Sequence, residues 1–193
     1  MATNEYHFIT HWRVRGTVAE VMPIIGNGLD LARWWPSVYL DVIELAPGDA
    51  QGVGKVISLY TKGWLPYVLR WQFRVTENHP LGFTLVAWGD FVGRGIWTFA
   101  QDGESVNITY DWKISAEKPL LRYFSFIMKP LFAANHRWAM RKGEESLQLE
   151  LQRRHARSEN ERARVPAPPA TTFGFLLRPG AKALDRLMPE GKL

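Results

Sequence analysis

Apolar and polar positions alternate with a period of two through most of the first 116 residues and change to a period of 3.6 after Pro119. The cleanest alternation is in 105–116, where Val106, Ile108, Tyr110, Trp112 and Ile114 interleave with Asn107, Thr109, Asp111 and Lys113. Residues 67–75 follow closely, with Tyr67, Leu69, Trp71, Phe73 and Val75 set against Val68, Arg70, Gln72 and Arg74. Such runs predict strands with one face buried and one wet, as in an antiparallel meander. Residues 6–15 read the same way, with Phe8, Trp12 and Val14 opposite His7, His11, Arg13 and Arg15. Further strands are predicted at 37–46, 53–62, 67–77, 83–88 and 91–101, separated by turn residues such as Asn78–Gly82, Gly89-Asp90 and Asp102-Gly103. Between the first two strands, Thr17-Val-Ala-Glu20 reads as a capping box opening a helix to about Asn27. Asp30 caps a second short helix that ends before Trp34-Trp35-Pro36.

Beyond Pro119 a short apolar helix is predicted over 120–128. A new helix starts at Pro130, a residue suited to a first turn, and runs about 25 residues to Arg154. Its apolar stripe is Phe132, His136, Ala139, Met140, Gly143, Leu147 and Leu151; Asn135, Lys142 and Glu145 flank it and are expected to be solvated. The charged stretch 156–164 is expected to fray, Val165–Ala170 is a stiff Pro-rich linker, and Phe173 to Met188 holds enough apolar residues for a short amphipathic segment. One strand, two short helices, six strands and one long helix leave a single economical α+β arrangement. A seven-stranded antiparallel sheet buries one face under the only large helix, and its twist curls it around that helix. Gly93 and Gly95 within one strand would ease the bend. The domain is expected to span residues 1–155, with 156–193 a basic tail.

This order of elements resembles the helix-grip fold of the START/Bet v1-like (SRPBCC, polyketide cyclase/dehydrase-like) superfamily. Trp34-Trp35-Pro36 leading into the second strand, Gly89-Asp90-Phe91 at a hairpin and Asn135–Leu147 in the last helix resemble it too, over roughly residues 4–154. The resemblance implies an apolar ligand cavity between sheet and long helix. It leaves the activity open, because the superfamily includes lipid carriers, aromatase/cyclases and hormone receptors. The expected function is therefore binding or carriage of a hydrophobic small molecule such as a lipid, isoprenoid or polyketide. One alternative is a cyclase/dehydratase-type enzyme using the same cavity; another is an interaction module acting through the tail. Rings at inward strand positions fit a ligand wall, and equally a filled core. The small Ala139 and Gly143 on the opposing helix favour some open space between them. The expected ligand contacts are Tyr67, Trp71, Trp97, Tyr110, Trp112, His136 and Met140. On the apolar stripe, His136 is either a proton-transfer or hydrogen-bonding group facing the cavity, or a rim histidine satisfied by backbone or water.

Composition narrows the chemistry further. At 193 residues the chain makes one domain, and the absence of Cys removes disulfides, thiolate catalysis and Cys-type zinc sites. MATNEYHF lacks a basic region followed by an apolar run, and no apolar run reaches the ~18 residues of a membrane span, so a soluble cytoplasmic protein is expected. Of the net charge of +5, residues 1–152 contribute nothing (15 basic, 15 acidic) and residues 153–193 all of it (nine basic, four acidic). A neutral body offers no footprint for nucleic acid. The tail suits a solvated helix end and linker, or a contact with an anionic membrane or a protein partner. His7 and His11 sit ~13 Å apart on a strand, too far to share a metal. Asp111 and Arg94 take outward positions. No nucleophile elbow, P-loop or dinucleotide motif is present, so no cofactor is expected and no catalytic residue is assigned.

Overall fold

The computed structural model describes residues 4–117 and 119–173. Seven strands, β1 (Glu5–Arg15), β2 (Tyr39–Ala46), β3 (Val56–Lys62), β4 (Val68–His79), β5 (Gly82–Gly89), β6 (Phe91–Asp102) and β7 (Ser105–Ala116), form one antiparallel sheet in the order β1-β7-β6-β5-β4-β3-β2. Two helices, α1 (Val18–Gly26) and α2 (Leu31–Trp34), lie between β1 and β2, and a long helix α3 (Pro119–His155) follows the sheet. This is the helix-grip α+β arrangement that the element order predicts.

The period-two pattern sets which face is inside. Val106, Ile108, Tyr110, Trp112 and Ile114 of β7 are all buried, as are Leu69, Trp71, Phe73 and Val75 of β4. Leu147 and Leu151 of α3 are fully buried and close the core against Val14, Val21, Ile24 and Trp34. Polar outward positions pair with one another instead: His7 Nε2 lies 2.9 Å from Asp111 Oδ1 across β1 and β7. The capping box forms as predicted, with Glu20 accepting the Thr17 backbone N–H at 2.8 Å. Its other carboxylate oxygen lies 2.6 Å from His155 Nε2. At the β1 edge, α3 side chains take up strand donors, Glu144 from the Arg13 N–H (2.8 Å) and Gln148 from the Arg15 N–H (3.0 Å).

Four expectations are corrected. The helix does not restart at Pro130 but runs through it as a single 37-residue element. An internal proline forfeits one backbone hydrogen bond, a loss a long packed helix can absorb. Strand β3 is not half wet, because all seven of its residues are buried, and Gln72 and Trp88 on the same outer face are buried with it. The space that the small Gly143 was expected to leave open is occupied by the Trp35 indole, whose ring carbon would lie 2.3 Å from a Cβ at that position. Finally, 159–164 is helical rather than frayed (α4, Glu159–Arg164), started by Ser158, whose hydroxyl accepts the Glu161 N–H. The amphipathic segment expected after Phe173 lies outside the described residues.

Candidate functional site

The inward rings of the sheet do not fill the space under α3. They leave a partly enclosed cavity of about 120 Å³ between the middle of α3 and strands β1, β2, β3, β4, β6 and β7. An apolar cavity of ~150 Å³ accommodates one benzene molecule, so this one matches a single ring or a short alkyl segment. Tyr67, Trp71, Tyr110, Trp112, His136 and Met140 line it, together with Tyr6, Phe8, Trp35, Tyr39, Lys62, Phe91, Phe132 and Asn135. Trp97 stands one layer behind, stacked on Tyr110 with ring centroids 4.0 Å apart and wedged against Trp12 at 5.4 Å. Inward parity placed it toward the core, but the Tyr110 ring comes between it and the open space. That ring fits because β6 carries Gly95 there, where a Cβ would lie 2.8 Å from the Tyr110 ring and hydroxyl.

His136 is carried into the wall by the 3.6 period of α3. Its imidazole stacks on Phe8 with centroids 4.1 Å apart and planes 15° from parallel. Its Nε2 is buried and has no hydrogen-bond partner among the described residues. Burial first, and the neighbouring Arg137 charge second, push its pKa down to about 4, and the ring is neutral at pH 7. The phenols of Tyr39, Tyr67 and Tyr110 are all raised by burial and stay protonated. The cavity thus presents neutral hydrogen-bonding groups set in rings, with one cation, Lys62.

Sequence reading missed part of the wall. Asn135 was expected in solvent but is buried, with its Oδ1 accepting the Leu65 N–H at 3.2 Å and so fixing the loop between β3 and β4. It sits one residue from the stripe, and only the approach of that loop converts its flank into wall. Lys62 holds an outward parity yet lines the cavity because it ends β3 beside the loop. Trp35 comes from the α2–β2 connection, where periodicity carries no signal, and Tyr39 is the first residue of β2. Phe8 was legible, since it shares parity with Trp12 and Val14. Among the described residues no group of three or more His, Asp or Glu side chains is placed to hold a metal, and no helix is long and apolar enough to cross a membrane.

No family model and no curated protein matches this sequence. Solved structures do match its shape. The aromatase/cyclase ZhuI from Streptomyces sp. R1128 superposes with a TM-score of 0.61 at 15% identity, covering 80% of this chain and 98% of that one. A protein from Thermus thermophilus gives 0.60 at 14% identity, over 74% and 97%. The di-domain aromatase/cyclase StfQ of the steffimycin biosynthetic pathway gives 0.56 at 11% identity, over 77% of this chain and 52% of that one. With the strand order, the gripped helix and these superpositions in place, the chain carries the START/Bet v1-like helix-grip fold.

Proposed function

We propose that the protein binds and carries a hydrophobic small molecule, of lipid, isoprenoid or polyketide type, in the cavity between sheet and α3. The observation that supports this best is the ring-lined cavity itself, with a neutral His136 in its wall and no carboxylate among its described lining residues. A guest hydroxyl or carbonyl group would find hydrogen-bonding partners among the Tyr, Asn and His side chains of the wall. The surrounding rings would bury the rest of the guest. At about 120 Å³ the cavity holds one ring-sized part of such a molecule, and a longer guest would extend through the open side.

A cyclase/dehydratase activity is the second reading, favoured by several titratable groups converging in one cavity and by the likeness to aromatase/cyclase structures. The pKa directions weigh against it. A base near 4 is mostly unable to hold an abstracted proton at pH 7, and phenols raised by burial are poor acids. Binding therefore ranks first. Two measurements test it: mass spectrometry of whatever mild extraction releases from purified protein, and quenching of tryptophan fluorescence on titration with the neutral probe 2-naphthamide. Trp35, Trp71 and Trp112 all face the cavity and would report occupancy. A released apolar compound or saturable quenching is expected; empty protein that ignores the probe would overturn the proposal.

A further inference from the structure

Lys62 is the one charged side chain among the described residues of the cavity wall, and it is only 2% exposed. Its ammonium donates to the Gly63 carbonyl at 3.1 Å and to Thr172 Oγ1 at 3.0 Å, and it stands 5.4 Å from the centroid of the Phe173 ring. These are neutral partners. Among the described residues no carboxylate reaches it, whereas the other buried charged residue, Glu150, takes Arg33 through both oxygens at 2.9 Å and Arg154 at 2.9 Å. Burying an ammonium without a counter-ion is expensive, and proteins ordinarily avoid it by pairing the group. Burial here lowers the Lys62 pKa, the direction expected of an unpaired cation.

We infer that Lys62 is the anchor for a carboxylate at one end of the cavity guest, so that the ligand class is an apolar body bearing an anionic head. The inference rests on the binding reading above and adds to it the charge and orientation of the guest. The head would take a charge-assisted hydrogen bond from Nζ at the end of β3, where the Gly63 carbonyl and Thr172 hydroxyl already hold the ammonium. The apolar body would lie toward Tyr67, Trp71 and Phe132, and the opposite end would reach His136. Two kinds of molecule share this chemistry, aromatic acids and short fatty acids.

The test is isothermal calorimetry on the full chain with matched pairs at pH 7 and low salt: 2-naphthoate against 2-naphthamide, and octanoate against octanamide. Each pair differs in charge and little in shape. Wild-type protein is expected to favour the acid of at least one pair by about tenfold or more, and the favoured pair tells ring from chain. Lys62→Met should erase that preference while still binding the amide, which shows that the cavity is intact. Lys62→Arg should keep a preference. Equal binding of acid and amide by the wild type, or a preference that survives Lys62→Met, overturns the inference and leaves the cavity reading standing. Failure of all four probes to bind removes both.

Discussion

His136 links helix periodicity, burial and pH in one side chain. Its ordinary pKa of about 6.5 falls to about 4 in the folded protein. The unfolded chain therefore takes up a proton between these values while the folded protein does not. Stability from this group is complete above pH 6.5 and is lost as pH falls toward 4. The loss amounts to roughly 2–3 kcal/mol. Urea denaturation at pH 7 and pH 4.5 should show it, and His136→Phe, which keeps a ring against Phe8, should flatten that part of the profile. An unchanged profile in the variant would mean that another group titrates there. That His136 faces inward was legible from its place on the stripe; that its Nε2 has no partner among the described residues was not, because this depends on every neighbour at once.

Helix α3 does more than cover the sheet. Glu144 and Gln148, one turn apart, occupy two backbone donors at the β1 edge, a protection of the kind sheet edges need. Glu150, one turn before Arg154, gathers Arg33 from α2 and Arg154 from its own helix. Burial alone would raise this carboxyl, yet hydrogen bonds from Arg33 and then Arg154 bring it below the usual carboxylate range. Its contribution is present above about pH 4.5 and is lost as pH falls through the lower folded value. Glu150→Gln should destabilise by about 1–2 kcal/mol at pH 7, a modest figure because both guanidinium groups are partly solvated. The variant should also lose stability less steeply below pH 4.5. At Gly143 the helix meets Trp35, so Gly143→Ala should cost about 1–3 kcal/mol by overpacking and lower the thermal midpoint. Midpoints equal to wild type would show that the indole moves aside freely. The stripe itself was readable from sequence, but the Trp35 contact joins residues 108 positions apart and has no local signature.

Among the described residues, the buried members of the core all fall between Tyr6 and Leu151. A chain ending at His155 is therefore expected to unfold in one cooperative transition, followed by tryptophan fluorescence in urea. A broad or absent transition would show that the tail belongs to the fold. The alternation of 67–75 and 105–116, the capping box at Thr17 and the switch to a 3.6 period were set by local physics, since side-chain direction follows from backbone geometry alone. Strand number, element order and the identity of the gripping helix followed from those patterns with no knowledge of contacts. Tertiary structure decided the rest. It placed Trp97 behind Tyr110, drew Asn135 out of solvent, set Trp35 in the space left by Gly143 and buried Lys62 with no described carboxylate beside it. Each of these is a relation between distant residues in close-packed space, where the volume of one side chain fixes what its neighbour can do.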